Sequence, residues 1–148
     1  MSRFTPAERV DLLAALCPIA RAASAVIMPY YHQGVVARTK ADRSPVSDAD
    51  EAAEQVILAG LAQLTPDIPV IAEEEVAAGR IPAIGGGRFW LVDPLDGTKE
   101  FLKGVPEFTV NIALVEDRLP VLGVVLIPPT GQLYGGAGPG TAMTENAT

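Results

Sequence analysis

The chain has 148 residues, is 49% hydrophobic, and carries 18 acidic against 11 basic residues for a net charge of −7. That length and apolar content give one domain with a real core and exclude a disordered chain. The charge argues against nucleic acid as the main partner, because no basic patch stands ready to replace phosphate counterions. A small anionic ligand stays open, since a bound cation inverts the local field.

Cys17 is the one cysteine. An internal disulfide is therefore excluded, and a cytosolic location fits. Its place in an apolar helical pattern marks it as a buried core thiol. His32 is the one histidine, which argues against a His-based zinc site or a Ser-His-Asp triad. The opening stretch MSRFTPAERVDLL lacks the apolar segment of a signal peptide. No apolar run reads as long enough to span a membrane.

In chain order, the first helix is announced by Thr5-Pro6-Ala7-Glu8. Thr5 is placed as N-cap, Pro6 at the first helical position, and Glu8 as the second half of a capping box. Leu13, Leu16, Ala20, Ala23 and Ile27 follow at helical spacing. Pro18 is expected to kink that helix or divide it. TKADRSP, within residues 39–45, reads as an exposed loop. A second helix is expected after Ser47, with Ala53, Val56, Ile57, Leu61 and Leu64 as its buried stripe.

Strands come next. IPVIA is short and apolar and runs into Glu73, Glu74 and Glu75. FWLVD is a second strand, and EFTVNIALVED and LPVLGVVLIPP form a hairpin turning over 116–120. QLYGGA reads as a further partner strand. Two helices followed by successive strands give an α+β fold, with the helices packed on a largely antiparallel sheet.

The chemistry concentrates in WLVDPLDGTKEF, residues 90–101. Pro94 biases Asp93 toward an extended conformation, so Asp93 is expected to end its strand. Gly97 admits an unusual backbone shape and close ligand approach. A helix beginning at Thr98 would offer free N–H groups to an anion. Two carboxylates beside an anion site repel each other unless a cation lies between them, and hard divalent cations favour oxygen ligands. The combination reads as metal-assisted phosphate chemistry. If the IPVIA and FWLVD strands are neighbours, Glu73 to Glu75 converge on the same point.

WLVDPLDGTKEF, IAEEE and TKADRSPVSDAD together resemble the three N-terminal motifs of the inositol monophosphatase superfamily, in its order and approximate spacing. Within it, DGTKEF and KADRSPV look like the CysQ-type 3'(2'),5'-bisphosphate nucleotidases. The resemblance implies the N-terminal part of an αβαβα sugar-phosphatase fold. It also implies Mg²⁺-dependent hydrolysis of a phosphomonoester, with adenosine 3',5'-bisphosphate the leading substrate and two or more Mg²⁺ ions. By that resemblance Glu73, Asp93, the Leu95 carbonyl and Asp96 are metal ligands. Glu73, Leu95, Asp96, Gly97 and Thr98 line the substrate. Asp50, Glu73 and Thr98 position the attacking water, and Lys40 lies in a loop that closes near the site. It further implies a cytoplasmic location, at most peripheral on the inner membrane, and a small phosphorylated nucleotide as partner.

The family is longer, and its C-terminal part carries a Trp-Asp motif whose aspartate completes the metal site. After Asp96 this chain has only Asp117. Residues 1–148 therefore look like an N-terminal metal- and phosphate-binding domain whose C-terminal companion is absent. Three alternatives stand beside the nucleotidase reading. One is an inositol or related sugar phosphatase. Another is an inactive, truncated metal-binding remnant. The third is a haloacid dehalogenase-type phosphatase, disfavoured because Pro94 stands where its nucleophilic aspartate belongs.

Overall fold

The computed structural model describes residues 3–33, 45–72 and 87–146. Two long helices, α1 (Pro6–Gln33) and α2 (Pro45–Leu64), precede strands β1 (Val70–Ala72) and β2 (Arg88–Asp96). A short helix α3 (Thr98–Lys103) links β2 to β3 (Thr109–Glu116). Strands β4 (Leu119–Ile127), β5 (Gln132–Gly136) and β6 (Met143–Glu145) follow. The six strands form one sheet in sequence order. β1 and β2 are parallel, and every other pair is antiparallel.

The capping box at the start of α1 forms as its sequence dictates. The Thr5 N–H donates to the Glu8 carboxylate at 2.7 Å, and the Glu8 N–H donates to the Thr5 hydroxyl at 3.1 Å. α1 then runs without a break through Pro18 and Pro29, so the expected division at Pro18 does not occur. Each interior proline costs about 3 kcal/mol. Leu12, Leu13, Leu16 and Ile27 are all buried and contribute about 1.5–3 kcal/mol apiece, which offsets that cost. By length and composition α1 also holds an 18-residue window of mean hydropathy 1.8, enough to cross a membrane. This corrects the expectation of no such run. In this fold its apolar stripe packs against α2 and the β3–β5 part of the sheet.

α2 begins at Pro45, three residues before the expected start, as a proline with its φ preset for helix allows. Ala49, Ala53, Ile57 and Leu61 form its buried stripe. The helix stops where the Thr65 N–H and hydroxyl turn back to the Leu61 carbonyl, and the same hydroxyl accepts the Trp90 indole N–H at 2.9 Å. That bond seats α2 on β2.

Both long helices cover one face of the sheet. Trp90 and Val92 of β2, Val110, Ile112 and Leu114 of β3, and Leu122, Val124 and Leu126 of β4 point into this core. The opposite face is open. Leu91, Val125 and Tyr134 are exposed there, and an apolar concavity of about 600 Å³ runs across β2, β3 and β4. Strand β6, which composition alone did not reveal, pairs with β5 and is gripped by Arg21 of α1. The Arg21 guanidinium meets the Glu145 carboxylate at 2.6 Å and the Gly131 carbonyl at 3.0 Å.

Far from the DPLDGT segment, at the start of β2 and the end of β3, lies a buried ion cluster. The Glu116 carboxylate, 3% exposed, takes the Arg9 guanidinium at 2.7 Å and the Arg88 guanidinium at 3.5 Å. Arg88 also lies over the Phe4 ring, 4.5 Å from its centre. Beside it Asp117 and Arg118 turn the β3–β4 hairpin with φ of 51° and 70°. A two-residue turn of this kind matches the twist of the strands. Asp117 is ion-paired with Arg3.

Candidate active site

The parallel pairing of β1 with β2 sets the site's location. Parallel strands end on the same side of a sheet. Ala72, which precedes the three glutamates in sequence, lies opposite Val92, one residue before Asp93. Glu73, Glu74, Glu75 and Lys40 lie outside the described residues.

Asp93 does not end its strand. It pairs with Asn111, and the ladder resumes with Asp96 opposite Thr109. Three steps on β2 match two on β3, so one extra residue bulges out between the two aspartates. Pro94 explains the bulge. It has no N–H to give a ladder, and a bulge is one of the few places in a sheet that tolerates this. Along β2 Asp93 follows the outward alternation of Leu91 and is half-buried at the wall of the open concavity. Past the bulge Leu95 buries its side chain, 2% exposed. Only its main chain is left to serve a ligand. Asp96 is exposed at the strand's end.

Gly97 follows with φ 100° and ψ 48°. A Cβ there would stand 3.0 Å from the Glu107 carbonyl oxygen and 3.2 Å from Cα and Cβ of Phe108. Both backbone shape and space therefore require glycine. Gly97 is the N-cap of α3, and Thr98 is its first helical residue. No side-chain hydrogen bond caps this helix. The exposed Thr98 hydroxyl is thus not spent on a cap.

Asp50 is buried, 6% exposed, in the second turn of α2 rather than at its start. α2 packs against β2 and α3, the two elements that carry Asp93, Asp96 and Thr98. Glu54, one turn further on, is also buried, at 2% exposure. Sequence reasoning passed over it, although acid at i and i+4 inside an apolar stripe is a readable signal. Asn111 was missed too. It is the lone amide in a strand of aliphatics and stands across from Asp93.

The donor set suits a hard cation. Asp93 and Asp96 offer carboxylate oxygens and Leu95 a carbonyl, all on one bulged strand end, the oxygen chemistry that Mg²⁺ prefers. Among the described residues no three His, Cys, Asp or Glu side chains gather into a metal-binding group. A cation held by the two aspartates would need a further ligand, and the segment after Ala72 is where the sequence holds three carboxylates.

Comparison with known proteins bears on this arrangement. The model of the inositol monophosphatase family matches residues 8–147. The 3'(2'),5'-bisphosphate nucleotidase CysQ of Salmonella typhimurium is 50% identical over 125 residues, covering 83% of this chain and 50% of that protein. The crystal structure of CysQ from Bacteroides thetaiotaomicron superposes with a TM-score of 0.74 at 36% identity, over 93% of this chain and 49% of that one. An inositol monophosphatase structure from Zymomonas mobilis gives a TM-score of 0.77 at 31% identity, over 99% and 53% of the two chains. The chain thus spans about half the length of the curated relatives it matches. With the family match running through both long helices, the DPLDGT bulge and all six strands, the chain belongs to the inositol monophosphatase family.

Proposed function

We propose that this chain forms the metal- and phosphate-binding half of a Mg²⁺-dependent phosphomonoesterase acting on adenosine 3',5'-bisphosphate. The observation that carries the reading is the bulged end of β2. Proline, two aspartates, a left-handed glycine and a helix start occupy six consecutive residues there. The half-length identity to nucleotidases named CysQ supports the choice of substrate class.

In this reading Asp93, the Leu95 carbonyl and Asp96 hold cations, together with Glu73. Bound Mg²⁺ supplies Lewis acidity and neutralises phosphate charge. The Gly97 and Thr98 N–H groups donate to the phosphate oxygens. Asp50, Glu73 and the Thr98 hydroxyl orient the water for in-line attack on phosphorus. The open apolar face of the sheet is the surface that a second half of the protein would cover. The location that fits is cytoplasmic, with Cys17 kept reduced.

The test is a phosphate-release assay of the chain alone and co-expressed with the C-terminal half of the Salmonella relative. Mg²⁺-dependent release from adenosine 3',5'-bisphosphate, abolished by EDTA, is the expected result. A preference for inositol monophosphate would favour the second reading, to which the Zymomonas structure lends weight. Hydrolysis that survives metal removal would overturn both.

A further inference from the structure

Helix α3 is only six residues long and lies between two left-handed glycines, Gly97 (φ 100°) and Gly104 (φ 73°). A helix of that length does not hold itself together in water, so something outside it must fix the turn that bears Asp96 and Thr98. Phe101 is the one residue α3 buries. It packs against Phe108 at 5.2 Å between ring centres, in an edge-on arrangement of 76°. The third ring of the cluster comes from a distant element. Tyr31, in the last turn of α1, lies 4.9 Å from Phe108 and 5.8 Å from Phe101. Its hydroxyl donates a hydrogen bond of 2.7 Å to the Gly104 carbonyl.

We infer that Tyr31 is a positioning residue for the Asp96–Gly97–Thr98 turn. It grips α3 at both ends. Through its hydroxyl it holds Gly104, the residue whose N–H, with that of Val105, closes the helix onto the Phe101 and Glu100 carbonyls. Through its ring it backs Phe108, whose Cα and Cβ stand 3.2 Å from the place where a Gly97 side chain would begin. Movement of Tyr31 is therefore felt at the N-terminal end of α3 by contact and at the C-terminal end by hydrogen bond. As a regulator of cation and phosphate binding this role rests on the function proposed above. As a latch on α3 it stands on the packing alone.

The experiment uses Tyr31→Phe, which keeps the ring and removes only the hydroxyl, beside Tyr134→Phe on the open face as a control. Amide hydrogen exchange at Phe101 and Val105 should quicken by roughly 3- to 10-fold, the effect of losing one hydrogen bond, while the β3 amides keep their protection. Titration with Mg²⁺ alone, followed at the Asp96, Gly97 and Thr98 amides, should show affinity reduced by a comparable factor, with Tm nearly unchanged. Unaltered exchange and unaltered Mg²⁺ affinity would overturn the inference. A lowered Tm with Mg²⁺ affinity intact would overturn it as well, since it would make Tyr31 a packing residue only. If the unsubstituted chain shows no Mg²⁺ response, the metal reading falls, and exchange at Phe101 and Val105 decides the latch by itself.

Discussion

Gly97 shows how tightly one residue is specified. Its φ of 100° and the carbonyl of Glu107 at 3.0 Å from a hypothetical Cβ act together. Gly97→Ala should lose about 1–3 kcal/mol of stability from backbone strain, read by urea denaturation. Thr98 is the opposite case. Exposed, at the first helical position and free of any capping duty, it should tolerate Thr98→Ala within about 0.5 kcal/mol. Turnover in the complemented protein should nonetheless fall by about 10²-fold or more if its hydroxyl orients water. A variant that turns over normally would remove Thr98 from the mechanism. Cys17 yields a pH prediction. Burial, aided by the nearby Glu145 charge, pushes its thiol above the ordinary value of 9.0. Its folded pKa is thus raised, so the stability it contributes is fully present below pH 9.0. That contribution declines above pH 9.0, where the unfolded thiol ionises and the folded one does not. A pH series of Tm should show this decline in the native chain and lose it in Cys17→Ala.

Elements differ in how far the sequence foretold them. The α1 capping box and the left-handed Gly97 before a helix at Thr98 were legible because their causes are local. A threonine, a glutamate, a proline and a glycine impose their geometry within four or five residues. The bulge in β2 was not legible, because it is a mismatch of count between β2 and β3 that exists only once the two pair. The passage of α1 through Pro18 was hidden for a similar reason. The penalty is written in the residue, while its compensation lies in side chains packed on other elements. β6 is three residues long and owes its existence to β5 and Arg21. The same dependence on distant partners governs the Glu116 cluster. Glu116→Ala would leave Arg9 and the 8%-exposed Arg88 without their shared counter-charge. Breaking a buried pair in this way should cost about 3–5 kcal/mol. Glu116→Gln, which keeps a hydrogen-bond acceptor, should cost less, and denaturant midpoints of the two variants would rank them.

At the scale of the whole molecule the site lies at one end of β2 and the Glu116 cluster, which clamps α1 to the sheet through Arg9, lies at the other. Changes to Glu116 should therefore lower stability without altering Mg²⁺ affinity, which calorimetric titration of the surviving fold would check. The fold class was read correctly because two amphipathic helices and a run of strands leave few ways to bury their apolar faces. Glu73, the further cation ligand proposed above, lies outside the described residues. The clamp has a further consequence, in the order of synthesis. Arg9 meets Glu116 across 107 positions of chain, and the Phe4 N–H reaches the same carboxylate across 112. At about 5–20 residues per second a ribosome needs roughly 5–20 s to deliver Glu116 after Arg9 has been made. Throughout that interval α1, with its long apolar window, is finished but has no β3–β5 surface to cover it. The nascent chain is then a substrate for ribosome-associated chaperones, and slowing translation between β1 and β4 should raise the aggregated fraction in cells lacking them.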